Sequence, residues 1–426
     1  MDTKPSHTPA PRLVTAVRNQ SEIREICLDG MLPEDHRVRH LWTFVESADL
    51  SGFLSRIKSV EGNSGRPATD PRILLTLWLY ATSQGIGSAR RLSELCQSDI
   101  AYLWICGSQT INHHTLSDFR SRGAQALDRL MRTLLTGLVS SHILTLRRVS
   151  QDGVKVRTSA GAASFRRKNA LKDLEAQIGR QIEDLKKELG GRSQASNKRE
   201  QAARDRALRE RQAKVAKALK DVEALQAAID ESPSVDKRKR EARASTTDPD
   251  ARVMHMADGG FRPAMNIQLA TDTDTRLVVG VEATNSGVDA GMMAPMMELV
   301  ERNTGELPEE LLVDGGYVSH KDIQAVSEMG IAVVAPPKIR LDQKSPLVPR
   351  KGDTLEIAAW RLRMARPETS EIYRQRASTS ETVHADLRKN RGLLQFPVRG
   401  MERIQAVALL MAVTYNALRI ISMGWM

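Results

Sequence analysis

Three carboxylates stand where they could act on a phosphodiester. Asp152 lies in the β-branched stretch RRVSQDGVKVRTSA and is followed by a glycine. Asp314 ends the apolar run ELLVD and precedes Gly315-Gly316-Tyr317, and Glu381 lies in the helical stretch YRQRASTSETVHADLRKNR. Carboxylates at the strand ends of an α/β sheet face a crevice rather than the core. Three acids brought together from two strands and a helix suit two Mg²⁺ ions, which want oxygen ligands and take few of them from protein. Two such ions, about 4 Å apart, activate an attacking oxygen and stabilise the leaving one in phosphoryl transfer. Taken singly each acid is weak, because Asp-Gly more often marks a turn. Asp258, Asp272, Asp274 and Asp289 lie in the same region, and Asp272 and Asp274 read as turn residues between strands. His113, His114 and His384 belong to no His/Cys set at zinc spacing and read as structural, and His255 carries no role.

The elements that must position these acids follow from periodicity. NIQLATD, RLVVGVEA, ELLVDGGY and IAVVAPP are short, β-branched and separated by turns, and the helical stretch MMAPMMELVERNTG falls between the second and third. Val149, Val154 and Val156 put a further strand around Asp152. Strands alternating with helices predict a mixed α/β sheet. Residues 371–390 and 402–421 close the chain as two helices, the last apolar enough to pack on the sheet. Before the sheet the pattern is helical. Asp70-Pro71 opens one helix as N-cap and first-turn proline, Ser88 begins another, and a third candidate runs from His113 to about residue 141. These short helices and polar turns resemble a helix-turn-helix arrangement, with Thr115–Arg122 as the reading helix, capped by Thr115 or Ser117. Arg120 and Arg122 would then reach phosphates or guanine edges, against the plainer alternative of a helical bundle with solvated arginines.

The chain has 426 residues and a net charge of +11, and 161–243 alone holds 22 Lys/Arg against 14 Asp/Glu. A basic balance favours a polyanionic partner. Aromatics at 4% argue against stacking platforms for single strands. Leu171, Leu174, Ile178, Ile182, Leu185 and Leu189 step by three and four, Gly190-Gly191 interrupts, and Leu208, Val215, Val222 and Ile229 repeat every seven. That pattern predicts an antiparallel coiled-coil hairpin, a solvated arm or one lying against DNA or a second subunit. The divisions are therefore a loose arm over 1–30, a helical DNA-binding domain over 31–143, a catalytic domain over 144–160 and 244–426, and the inserted basic hairpin over 161–243. Cys27, Cys96 and Cys106 form no CxxC pair, and no apolar run approaches the roughly 18 residues of a membrane span. Cytoplasmic location, with no membrane partner, is the expectation.

In this order the motifs resemble the DDE transposases of bacterial insertion sequences, in the branch with a helical insertion. LPEDHRVRHL and GRPATDPRILLTLWLYA look like that family's N-terminal domain, and VSQDGVKVRTSA like its first catalytic-aspartate strand. TDPDARVMH and NIQLATDTDTRLVVGVEATNSGVDAG look like the strands after the insertion, LLVDGGYVS like the second-aspartate motif, and YRQRASTSETVHADLR like the Tyr-Arg-Glu-Lys signature. The match runs from about residue 31 to 421. The resemblance implies an RNase H-like fold in which Asp152, Asp314 and Glu381 bind two Mg²⁺ ions, with Mn²⁺ able to substitute. It implies that Tyr373 and Arg376 lie near a DNA phosphate. Four residues separate Arg376 from Glu381 where the commonest form has three, and Arg388 stands in place of the closing lysine. The implied function is binding of terminal inverted repeats, cleavage and strand transfer. The implied partners are double-stranded DNA, as element ends and as target, and a second copy of the chain, at the nucleoid. The alternatives are an inactive DNA-binding repressor, an RNase H-like nuclease without strand transfer, and a structural coiled-coil protein, which would leave the strand-end acids unexplained.

Overall fold

The computed structural model describes residues 21, 25 and 27–425 apart from 63–65, 190–194, 232–237, 239–240 and 338–346. The loose arm expected over 1–30 and the Gly190-Gly191 break fall almost wholly outside the described residues.

Among the described residues seven α-helices come first: α1 (Arg37–Ser47), α2 (Ser51–Leu54), α3 (Pro71–Ser83), α4 (Ala89–Ser98), α5 (Ile100–Cys106), α6 (His113–Ser121) and α7 (Ala124–Ser140). Asp70 caps α3, its Oδ1 accepting from the Arg72 amide at 2.8 Å with Pro71 in the first turn. Asn112, not Thr115 or Ser117, caps α6, because its side-chain oxygen takes the His114 amide at 2.8 Å and starts the helix earlier. Next come β1 (Arg148–Arg157), β2 (Phe165–Arg166), α8 (Lys168–Leu189), α9 (Ala195–Asp230), β3 (Ala244–Ser245), β4 (Arg252–His255), β5 (Phe261–Asp272) and β6 (Val278–Thr284). The chain ends with α10 (Met293–Thr304), β7 (Glu310–Leu312), α11 (His320–Glu328), β8 (Ala332–Val334), α12 (Leu355–Met364), α13 (Pro367–Lys389) and α14 (Met401–Ser422).

The main sheet has the order β4-β5-β1-β7-β8, with β6 also on β5. β1 runs antiparallel to β5 and parallel to β7, and β7 is parallel to β8. β7 pairs with β1 only as far as Ser150, which faces Leu312. Two residues further along each backbone come Asp152 and Asp314. Both acids therefore sit where the parallel ladder has just ended and the two backbones leave a crevice.

Helix α14 is apolar nearly all round, which is the mark of a helix buried on every side. It is long and apolar enough to cross a membrane, yet 78% of its apolar window is buried inside the protein. It packs against β6, α7 and α3, so the N-terminal helices and the sheet share one continuous apolar core. It packs on the sheet as expected, and on the N-terminal helices as well. Two of its amide side chains, buried Asn416 and half-buried Gln405, explain how edge strand β6 is closed. Asn416 accepts from the Val278 amide and donates to the Val278 carbonyl, while Gln405 does the same between Ala283 and Val281.

Helices α8 and α9 are antiparallel: Lys168 at the start of α8 pairs with Glu223 toward the end of α9 at 2.9 Å. Leu171, Ile178, Ile182, Val215, Ala218 and Val222 form a core separate from the main one. The short ribbon β2–β3 closes the base of the hairpin, Phe165 facing Ser245. Lys217–Asp250 and Arg252–Asp221 tie α9 to the body. Because the hairpin buries its own stripe, replacing residues 167–243 by a short linker should leave cooperative urea unfolding of the remainder intact. A broad, non-cooperative transition in that deletion would make the hairpin part of the main core.

Candidate active site

Asp152 is held from three sides. Its Oδ1 accepts from the Gly153 amide at 2.9 Å, and its Oδ2 lies 3.3 Å from Arg376 Nη1 and 3.8 Å from His384 Nδ1. Burial pushes this carboxyl up to about 6; the Arg376 guanidinium pulls it down, and the negative charges of Asp314 and Asp289 add to the rise. Asp314 is half-buried, and its Oδ1 accepts from the Gly316 amide at 2.7 Å, a turn that aims the loop into the crevice.

Helix α13 lies over this end of the sheet. Ser380 and Ser150 share a hydrogen bond of 2.7 Å between hydroxyls, and Arg148 donates to Gln375 at 2.8 Å. These contacts fix the rotation of α13, and with it the fate of each signature residue. Arg376 points at Asp152, and Tyr373 lies beneath its guanidinium at 5.9 Å. Arg388 is half-exposed and near enough to His384 to disfavour its protonation.

Glu381 is exposed on the outer side of α13. The extra residue after Arg376 gives the reason. An acid with three intervening residues would fall one turn on from Arg376 and share its face. That position is Ser380, buried against Ser150, so Glu381 is rotated about 100° away toward solvent. The structure gathers Asp152 and Asp314 and does not bring Glu381 to them.

His384, read from the sequence as structural, is on the site face. Burial above all, then Arg388 and Arg376, depresses its imidazole to about 4, so it stands neutral beside Asp152, with Nε2 buried and unpartnered.

Arg120 leaves the DNA-binding set. It is 5% exposed, its guanidinium stacks 4.2 Å from the Trp78 ring, and Nη1 donates to the Gly87 carbonyl at 2.5 Å. Burial depresses its ionisation to about 10. Arg122 is exposed, 3.6 Å from Asp118, and lines a cleft of about 880 Å³ together with Arg56, Lys58 and Arg66.

The donor chemistry of Asp152 and Asp314 fits a hard divalent cation: both offer oxygen, and the charge they share is only partly offset by Arg376. Among the described residues no group of three or more His, Cys, Asp or Glu is gathered closely enough to hold an ion.

A six-stranded mixed sheet with acids at the end of a parallel pair, flanked by helices, is an RNase H-like fold of α/β class. A family model described as Transposase domain (DUF772) matches residues 26–122, and one described as Transposase DDE domain matches residues 235–417. The chain belongs to the DDE transposases of insertion sequences. These are DNA-processing enzymes that generally use divalent metal. Searches of curated proteins and of solved structures gave no match.

Proposed function

We propose that this transposase binds the terminal inverted repeats of its element, cleaves at their ends and joins them to target DNA. The observation that carries the reading is the placement of Asp152 and Asp314 two residues beyond the matched pair Ser150 and Leu312, at the mouth of one crevice. Asp152 and Asp314 would hold Mg²⁺, with Mn²⁺ substituting. The bound ions supply Lewis-acid stabilisation of the attacking and leaving oxygens.

The chain's own residues do the rest. Arg376, now paired with Asp152, is placed to turn its guanidinium fork onto a scissile-strand phosphate. Tyr373 supports that guanidinium from below, and Arg388 offers a second cation from the same helix. Glu381 is kept as the third acid implied by family resemblance, which requires α13 to rotate or shift when DNA binds. Arg122, with Arg56, Lys58 and Arg66, gives the N-terminal helices a basic cleft for the duplex backbone. Two element ends require two active sites, so the working form on DNA is at least a dimer.

The experiment is a strand-transfer assay with the two inverted repeats that flank the gene, with Mg²⁺, with Mn²⁺ and with EDTA. Joined products that vanish in EDTA are expected. Metal-dependent cutting without joining would reduce the protein to a nuclease. Salt-sensitive end binding without cutting would make it a repressor, a reading favoured by the outward position of Glu381.

A further inference from the structure

Asp152 and Asp314 belong to two chain segments that the sheet does not tie together at their level, since β7 pairs with β1 only as far as Ser150 and Leu312. Side chains span the gap, on the face of the sheet away from α13. Ser150 and Asp152 turn toward α13, so Gln151 and Gly153 turn to the other face. Gln268 of β5 stands opposite Gly153 in the antiparallel register, on that same face, and is 1% exposed.

Gln268 uses both ends of its amide. Its Oε1 accepts from the Tyr317 hydroxyl at 2.5 Å and from Gln151 Nε2 at 3.0 Å. Its Nε2 donates to Asp289 Oδ1 at 2.8 Å, beside Asn266 Nδ2 at the same distance. A carboxylate accepts only, so Asp289 settles which end of the Gln268 amide is oxygen, and that oxygen faces the two donors. Gln151 Nε2 also holds the Met292 carbonyl at 3.0 Å, just ahead of α10. Tyr317 is fully buried three residues after Asp314, and Gln151 immediately precedes Asp152. One oxygen therefore joins the residue before the first aspartate to the loop that carries the second. The glycine after Asp152 makes room for this amide: a Cβ on Gly153 would come within 2.5 Å of Gln268 Nε2 and 2.6 Å of Asp289 Oδ1.

We infer that Gln268 is a positioning residue of the catalytic centre: through Tyr317 and Gln151 it sets the separation of Asp152 and Asp314 from behind the sheet, leaving the α13 face open to cation and DNA. It touches neither of them. The inference rests on the cation-binding role given above to the two aspartates, and it names a residue to which that reading gives no part. A cation held by few protein oxygens is sensitive to how those oxygens are spaced, and the groups that orient metal ligands change affinity by about tenfold to a hundredfold.

The test is Mn²⁺ binding to the full-length protein without DNA, followed by electron paramagnetic resonance. The proteins are the wild type, Gln268→Leu, Tyr317→Phe, their double variant, Asp152→Asn and Leu127→Ala. Leucine keeps most of the volume of Gln268 and removes its amide, and phenylalanine removes a single hydroxyl. Leu127 lies in the core of the N-terminal helices and supplies a loss of stability away from the aspartates. Gln268→Leu should weaken Mn²⁺ binding by about tenfold or more. Tyr317→Phe should weaken it by about fivefold, the worth of one hydrogen bond. The double variant should bind no worse than Gln268→Leu alone, and Leu127→Ala, though less stable to urea, should bind as the wild type does. Wild-type affinity in Gln268→Leu beside a loss in Asp152→Asn would overturn the inference and leave the transposase reading standing. So would additive losses in the double variant, since Tyr317 would then act apart from Gln268, or an equal loss in Leu127→Ala. Should Gln268→Leu fail to fold, Tyr317→Phe decides, and unchanged binding there overturns the inference. No Mn²⁺ binding by the wild type would overturn the inference together with the cation-dependent reading beneath it.

Discussion

Asp152→Asn and Asp314→Asn should each abolish end cleavage and strand transfer, by roughly a thousandfold or more, equivalent to about 4 kcal/mol of transition-state stabilisation. Each substitution preserves side-chain size and removes the charge that a cation needs. The introduced amide oxygen would still accept from the Gly153 amide in the first variant and from the Gly316 amide in the second, so the strand ends should hold their shape. Loss of activity would then report chemistry rather than folding. DNA binding should persist or tighten, because a negative charge facing phosphate has gone and, in Asp152→Asn, Arg376 is released from its partner. Cleavage within tenfold of wild type in both variants would remove these two aspartates from the chemistry, and the repressor reading would take over. Loss of end binding in step with cleavage would mean that the substitutions had damaged the fold.

The two aspartates were legible because the signal is local. An apolar run ending in an acid and two glycines places Asp314 just past the end of β7, and strand ends in an α/β sheet open on a crevice, whereas Asp152 lies within β1, just beyond the end of its ladder with β7. The partners of those acids were not legible, since they arrive from remote segments. Nothing in TNSGVDAG says that Asp289 will lie over Gly153; that follows from the register of β5 on β1 and the path of the β6–α10 connection. Zinc spacing alone says nothing of His384 beside an aspartate, whereas its neighbourhood is set by how α13 docks through Ser380.

Two features follow from helical periodicity alone. The four-residue gap between Arg376 and Glu381 already rotates the acid about 140° from the arginine around the helix, where a three-residue gap would leave about 40°. Arg120 and Arg122, two apart on a helix, point in nearly opposite directions, so no single groove could receive both. The order of helices and strands was legible from period alone, but the shared core was not. An all-round apolar final helix says that it is buried, without saying that its other side lies against α3 and α7.

Arg120→Ala should destabilise the protein by about 3 kcal/mol and leave discrimination between element ends and random DNA unchanged. Three losses contribute. The guanidinium leaves the face of Trp78, a contact worth about 1–2 kcal/mol when desolvated. The Gly87 carbonyl loses its donor, at about 0.5 kcal/mol, since Gly87 is exposed and water can take the donor's place. A cavity opens under Trp78, whose own Nε1 holds the Leu116 carbonyl at 3.0 Å and so cannot move to fill it. Arg120→Met separates these parts. Methionine keeps most of the volume against the ring and removes a buried charge whose Nε already lacks a partner, so it should cost less than half as much as alanine. Urea unfolding of the three proteins measures the order, and competition binding with cognate ends against random duplex measures recognition. Arg122→Ala is the companion, since its side chain is exposed. It should leave stability within about 0.5 kcal/mol and lower the slope of log affinity against log salt by about one, the loss of a single phosphate contact. The reverse outcome, a stable Arg120→Ala that no longer distinguishes element ends, would show that α6 opens on DNA to present Arg120.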